Sequence, residues 1–249
     1  MFISTEGIIL KQVKATSGIR MVLLFSKKYG KISASTTANE KGRTKTALAM
    51  RPFTYGNYEI FKNRSYYNIN SADVIKSYYG IGEDIDKYMC SSFVLELTDK
   101  FLVEEQPNPK LFNLVIDFFE SIERRTKKHE TLVLAYEIKA LKILGFLPQV
   151  NQCACCGKES IDKYFSITEG GMLCNDCYND NNNDRLICNV DFGIVDIIKY
   201  FNDNPVKALE KLALDDEVCR KLQRIIKKYM AYHLDINNLK SESFFEGKF

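Results

Sequence analysis

Val22-Leu23-Leu24-Phe25-Ser26-Lys27-Lys28-Tyr29-Gly30-Lys31-Ile32-Ser33-Ala34 is the stretch that decides the fold. An apolar run, Ile19–Phe25, meets a polar turn, Ser26–Gly30, that ends in glycine. Lys31–Ala38 then alternates with period two, which places its apolar residues on one face of a strand. The same pattern extends outward in both directions. Upstream, Thr5–Lys14 is an apolar-rich run around Gly7, Ile8, Ile9 and Leu10, with Ser17-Gly18 in the intervening turn. Downstream, Phe53–Lys62 is a fourth run, and Asn63-Arg64-Ser65 turns into a fifth, Tyr66–Lys76. These segments are rich in β-branched and aromatic residues and separated by Gly, Asn and Ser. Five short strands within residues 1–80 fit a small closed barrel of the OB type, although a five-stranded SH3-like barrel has the same strand pattern.

After Gly80 the period changes. Ile85, Met89, Phe93, Leu97 and Phe101 step by four, as on a helix face. Asn108-Pro109 is an N-cap followed by proline at the first helical position, opening a helix that buries Leu111, Leu114, Val115, Phe118 and Ile122. Leu134, Ile138 and Leu141 mark a third helix, ended by Gly145 and kept ended by Pro148. Val190–Phe201 reads as helical. Val218, Leu222, Ile225, Tyr229 and Tyr232 mark a long helix with Asp215 and Asp216 at its positive end. Asn179–Asp184 is too polar to pack and reads as an exposed loop.

The composition is that of a globular protein, with 45% hydrophobic and 27% charged residues, which excludes wholesale disorder. No apolar run reaches the roughly 18 residues of a membrane span. Residues Met1–Leu10 lack the basic and small-residue flanks of a signal peptide, so the expected location is the cytoplasm. The net charge of +3 conceals an asymmetry. Residues 1–80 hold 13 bases against 4 acids, a net +9, whereas the remaining 169 residues hold 22 bases against 28 acids, a net −6. Such a positive lobe attracts polyanions, and nucleic acid above all.

Eight cysteines in a cytosolic chain point to metal ligands or buried thiols rather than disulfides. Cys153-x-x-Cys156 and Cys174-x-x-Cys177 are separated by 17 residues, within the spacing of zinc ribbons. Each Cys-x-x-Cys turn brings two thiolates to one ion, and a hairpin through Tyr164–Thr168 and Gly170-Gly171 would return the second pair. Cys155 breaks the two-residue spacing to both neighbours and is set aside as a ligand. Cys90, Cys188 and Cys219 stand alone on apolar helical stretches, where buried thiols are the default. Four thiolates close the coordination shell, and neither His129 nor His233 neighbours them, so the expected role of Zn2+ is structural.

Candidate phosphate contacts are Lys27, Lys28 and Lys31 around one turn, and Lys41, Arg43 and Lys45 along the polar segment Asn39–Ala49. Basic loops beside a curved sheet are how OB folds track a nucleic-acid backbone. Among the eleven aromatics of residues 1–80, Tyr29, Tyr55, Tyr58, Tyr66 and Tyr67 are available in principle for stacking, but most belong to a barrel's core or rim.

Three stretches together resemble RecO, the DNA repair and recombination mediator family. The first is Gly7–Leu10 leading to Val22–Ala34. The second is Leu134–Pro148, running straight into the cysteines. The third is Cys153-x-x-Cys156-Gly157 with Phe165, Gly170-Gly171 and Cys174-x-x-Cys177. The chain departs from the family's usual pattern at Thr16-Ser17-Gly18-Ile19 in the first hairpin. It is also poorer in arginine along Thr36–Lys45. The resemblance implies binding to single- and double-stranded DNA and annealing of complementary strands. It also implies contact with the C-terminal tail of the single-stranded-DNA-binding protein and, with RecR, loading of RecA. No step of this requires a catalytic residue. An acidic tail ending in a free carboxylate needs an apolar pocket beside cations. Arg124 and Arg125 at one helix end, with Lys139 and Lys142 on the next helix beside Tyr136 and Ile143, are the candidates.

The expected fold is therefore α+β: a five-stranded OB-type barrel (1–80), then an α-helical bundle domain (81–249) with a four-cysteine zinc ribbon inserted at about 151–180. Two other classes compete with a DNA-binding mediator. One is a zinc-stabilised protein–protein adaptor; the other is a zinc enzyme acting on nucleic acid, which a closed four-cysteine shell disfavours.

Overall fold

The computed structural model describes residues 1–14, 19–38, 42–64, 66–159, 163–180, 186–190 and 192–242. The chain divides into two compact units, Met1–Arg125 and Thr126–Phe249.

The first unit is built on a closed barrel of β1 (Phe2–Lys14), β2 (Arg20–Ser26), β3 (Gly30–Thr36), β4 (Thr54–Lys62) and β5 (Tyr67–Ser77). The strand order is β1-β2-β3-β5-β4, returning to β1. The thirteen-residue β1 serves two neighbours: Phe2–Ile8 pair antiparallel with β4, and Gly7–Lys14 pair with β2 across an irregularity between Ile9 and Lys11. Closure comes from a short parallel pairing of Ala34 and Ser35 on β3 with Tyr67 and Asn68 on β5. This is the OB arrangement, and it decides against the SH3-like alternative. Alternation along the strands sends Ile3, Ile9, Val22, Leu24, Ile32, Ile60 and Ile69 inward, where they form one core with Tyr58 and Tyr67.

Asn39–Ala49 was expected to be a polar loop, but its end is helical: α1 (Lys45–Ala49) sits between β3 and β4. Thr44 caps it, its side chain accepting from the Ala47 N–H at 3.1 Å. The buried Tyr58 hydroxyl donates to Ala49 O at 2.8 Å and pins the helix to the barrel.

Three more helices complete this unit: α2 (Tyr79–Gly82), α3 (Ile85–Phe101) and α4 (Pro109–Arg124). An aromatic seam joins them to the strands. Phe112 packs edge-on against Phe25 at 5.2 Å and Tyr55 at 5.9 Å, and Phe119 packs against Phe53 at 5.7 Å. Removing a buried ring of this kind costs about 3–5 kcal/mol, so these helices and the barrel stabilise one another. The Asn108 side chain accepts from the Leu111 N–H at 3.0 Å, as the Asn-Pro signal predicts, and the five apolar residues expected on α4 are buried. On α3 the expected stripe is corrected at its start. Ile85 is exposed, and burial runs instead through Cys90, Phe93, Val94, Leu97 and Phe101.

The second unit is organised around α5 (His129–Leu144), which is buried on nearly every side. It ends at Gly145, whose φ of +83° is the left-handed geometry glycine adopts without strain; Phe146 N–H then donates to Leu141 O at 2.8 Å. Packed on α5 are α7 (Phe192–Asp203), the turn Val206–Leu209 and α8 (Asp216–Leu234). Asp215 caps α8 by accepting from the Glu217 N–H at 2.9 Å. The buried face of α8 is Cys219, Leu222, Ile225, Ile226, Tyr229 and Met230, and Tyr232 faces solvent rather than the core. A three-stranded sheet, order β7-β6-β8, consists of β6 (Tyr164–Ser166), β7 (Gly171–Leu173) and β8 (Ile187–Asn189), with α6 (Asn175–Asp180) following β7. Cys188 therefore lies half-buried on a strand rather than on a helix. The expected polar loop begins at Asn179 on α6, and its residues 181–184 lie outside the described residues. No described helix is long and apolar enough to cross a membrane.

Candidate nucleic-acid interface and metal centre

The two Cys-x-x-Cys turns meet. The Sγ atoms of Cys153, Cys156, Cys174 and Cys177 all lie within 4.8 Å of one another, and Cys156 and Cys174 are 3.7 Å apart. A tetrahedron with metal–sulfur bonds of about 2.3 Å has edges of about 3.8 Å, so the four thiols are spaced to share one tetrahedral metal ion. Local backbone geometry builds each half. In the first turn Gly157 N–H donates to Cys153 O at 2.9 Å and Cys153 N–H to Lys158 O at 2.8 Å, with Gly157 at φ +74°. The second turn leaves β7 through Cys174 into α6, where Tyr178 N–H donates to Cys174 O at 3.0 Å.

Gly171 lets the hairpin approach the chain entering the first turn: a Cβ there would lie 2.2 Å from Gln149 O. Tyr164 and Tyr178 stack at 3.4 Å with their planes 2° apart, closing one side of the ribbon. Burial pushes the Cys153 thiol up, but the backbone N–H groups of Cys156, Cys174 and Cys155 outweigh it and hold the thiol at about 6. Contact with the Cys156 thiol pushes Cys177 the other way. Thiols this crowded cannot all ionise unless a cation sits among them. Among the described residues no His, Asp or Glu joins the four cysteines. His233 Nε2 instead donates to Ile167 O at 2.6 Å. Cys155 is exposed, and Cys90 and Cys219 are buried on helices, as expected.

The six cations proposed to contact phosphate have different surroundings. Lys27 Nζ lies 2.6 Å from Glu6 Oε2, which also accepts from the Tyr55 hydroxyl at 2.5 Å. The hydrogen bonds from Lys27 and Tyr55 hold Glu6 below its ordinary range, and burial together with Glu6 pushes Tyr55 up to about 12. Lys31 is more firmly engaged. Its Nζ donates to Asp99 O at 2.8 Å and Asp99 Oδ1 at 3.0 Å, tying β3 to α3. Lys28 and Arg43 are exposed. Lys45, also exposed, is 3.3 Å from Asp73 in a solvent-facing pair that contributes little. Lys41 lies outside the described residues.

Of the tyrosines weighed for stacking, Tyr58 and Tyr67 belong to the core, Tyr29 and Tyr55 are half-buried, and Tyr66 is exposed. Phe2 and Phe61, which sequence reasoning passed over, stand beside Tyr66. Their signal was their phase: each is one residue out of step with a buried isoleucine, Ile3 or Ile60.

The cations considered for a carboxylate tail are also distinguished. Arg124 and Lys142 are exposed and Lys139 is half-buried. Arg125, at 4% exposure, is buried and engaged within the protein, which corrects its reading as a docking cation. Tyr136 is fully buried, so it cannot wall an open pocket. A cavity of about 290 Å³ lies elsewhere in the second unit, with a mixed lining that includes Leu147, Val150 and Ile198 together with Asn202, Lys199 and Asp203.

A family model described as Recombination protein O N terminal matches residues 1–78, and one described as Recombination protein O C terminal matches residues 82–243. The DNA repair protein RecO of Alkaliphilus metalliredigens is 30% identical over 244 residues, covering 97% of this chain and 97% of that protein. The DNA repair protein RecO of Caldanaerobacter subterraneus is 28% identical over 243 residues, covering 98% and 97%. The DNA repair protein RecO of a Thermoanaerobacter strain is 28% identical over 242 residues, covering 97% and 96%.

Proposed function

This chain belongs to the RecO family of DNA repair proteins, and from that premise we propose that it is a non-catalytic recombination mediator. It binds DNA through its barrel and anneals complementary single strands. With RecR it helps load RecA onto DNA coated by single-stranded-DNA-binding protein. The observation that carries this reading is a closed OB barrel in the segment of net charge +9, with Lys28, Arg43 and Lys45 exposed on it. Binding of this kind neutralises phosphates and leaves the pairing edges of the bases open, which is what annealing requires. Residues 1–80 are the DNA-binding domain in this reading, and 81–249 the helical domain that carries the ribbon.

The four cysteines hold a structural Zn2+, because four thiolates leave no open position for water or substrate. The same closure argues against a zinc enzyme. The single-stranded-DNA-binding protein docks its acidic tail on the second unit. Lys139 and Lys142 are the candidate anchor. A protein with these partners works in the cytoplasm, at the nucleoid.

A salt titration of binding to single-stranded and duplex DNA, with and without the single-stranded-DNA-binding protein, tests the reading. Affinity should fall linearly with salt on logarithmic axes, for both forms of DNA. Absence of DNA binding at low salt would leave the protein–protein adaptor in its place.

A further inference from the structure

β1 and β4 run antiparallel with Phe2 opposite Phe61 and Ile3 opposite Ile60. Ile3 and Ile60 point into the barrel, so Phe2 and Phe61, one residue out of phase, stand on its outer wall. Their rings meet edge to face with centroids 5.3 Å apart. Tyr66, in the turn between β4 and β5, extends the row, its ring 6.4 Å from that of Phe61. Phe2 is 66% exposed and Tyr66 49%. Single exposed apolar residues are ordinary, but two exposed rings joined through a half-buried third mark a contact surface.

The charge around the row says what covers it. Lys62 lies on the same hairpin with its ammonium 5.0 Å from the Tyr67 ring, and Arg64 is exposed in the turn beside Tyr66. The whole segment 1–80 carries +9. A purely apolar protein partner would leave these cations unmatched, an acidic protein tail is separated from nucleic acid by the binding test, and duplex DNA hides the faces of its bases. Unpaired bases flanked by phosphates match both features, because every base offers a π-face to an aromatic ring. We propose that Phe2, Phe61 and Tyr66 form a stacking platform for the unpaired bases of single-stranded nucleic acid, with Lys62 and Arg64 taking the adjoining phosphates. The platform rests on the reading of the barrel as DNA-binding and deepens it. It favours single strands over duplex and tolerates any base.

The test uses the full chain, the double variant Phe2→Ala/Tyr66→Ala, and the conservative variant Tyr66→Phe. Binding is read at one salt concentration on oligothymidylate, on an abasic strand of the same length, and on duplex DNA. The double variant should bind oligothymidylate about tenfold or more weakly, since each stacked base contributes about fivefold to 150-fold and two rings are removed. Its affinities for the abasic strand and the duplex should be unchanged, and Tyr66→Phe should match wild type. Both altered residues are exposed, and an unchanged melting temperature checks that the fold is kept. Oligothymidylate affinity equal to wild type in the double variant overturns the platform. So does an equal loss on all probes, which would show that the rings do not act through bases. A double variant that keeps its DNA affinities but no longer binds the single-stranded-DNA-binding protein or RecR also overturns it, and makes the row a protein-docking face. If wild type itself binds no DNA, the reading of the barrel fails first and the platform falls with it.

Discussion

Glu137 lies on α5 at 3% exposure, and its Oε2 has no hydrogen-bond partner among the described residues. Burial pushes its carboxyl up to about 8 from an ordinary 4.5, and the charge of Glu242 adds to the effect. The folded protein therefore holds a proton there that the unfolded chain releases near 4.5. A folded-state pKa raised in this way makes stability greatest below the unfolded value and removes it as pH rises through the folded one. The window runs from about pH 4.5 to about pH 8. Glu137→Gln keeps the shape and removes the titration. Relative to this variant, wild type should lose stability as pH rises across the window, by up to a few kcal/mol. Chemical denaturation of both proteins at several pH values measures the difference. Parallel curves would show that the carboxyl is solvated or paired. The position was not legible in the sequence, where Glu137 lies within Leu134–Pro148 and resembles any charged residue of an amphipathic helix. Burial on every side of α5 comes from its neighbours, α7, α8 and the Val206–Leu209 turn, and not from its own pattern.

Elements whose signal is local were read correctly. The Asn108 cap, the Gly145 stop, the alternating strands and the two Cys-x-x-Cys turns each depend on residues within a few positions of one another. Elements defined by distant partners were missed. The short α1, though capped locally by Thr44, is held in place by Tyr58 on β4, and β8 has only three residues and pairs with β6. Ile85 and Tyr232 continue their helices' apolar period but are exposed to solvent. The ribbon itself is small, three strands of three residues and one short helix, so it has little core of its own. Its stability should therefore come largely from the metal. Cys174→Ser or Cys156→Ser should abolish binding of one Zn2+ per chain and lower the stability of the second unit. In small zinc peptides the metal contributes on the order of 10 kcal/mol, and the loss here should be smaller because α5, α7 and α8 supply a core. Metal analysis paired with thermal denaturation reads both effects. A metal-free variant as stable as wild type would remove the structural role. The Asn108 cap gives a second check at this scale: Asn108→Ala should cost about 1 kcal/mol through the first turn of α4.

For the molecule as a whole, the charge of residues 1–80 sets the strength of the attraction, but ion pairing sets how much of it reaches DNA. Five contacts, from Lys27, Lys28, Lys31, Arg43 and Lys45, would give a slope of log affinity against log salt near −3.5 on single strands. Lys27 is bonded to Glu6, and Lys31 is held by Asp99 with its side chain only 15% exposed. Releasing Lys31 would leave Asp99 without its cation, and releasing Lys27 would leave Glu6 only its bond from Tyr55, so the two should keep their carboxylates. The remaining three contribute about −2 to the slope, and Lys62 and Arg64, taking phosphates beside the aromatic row, add about −1.4. The two classes of cation should then separate under mutation. Arg43→Ala with Lys45→Ala should flatten the slope by about 1.4 while leaving stability nearly unchanged, since both side chains are exposed. Lys31→Ala should leave the slope alone and lower stability by about 1–3 kcal/mol, because Asp99 loses a charged hydrogen bond between β3 and α3. A slope that flattens in Lys31→Ala would mean that Asp99 yields its partner to DNA. A slope unchanged in the Arg43/Lys45 double variant would leave the phosphate track to other cations, such as Lys62 and Arg64 beside the aromatic row or the exposed Arg124 and Lys127.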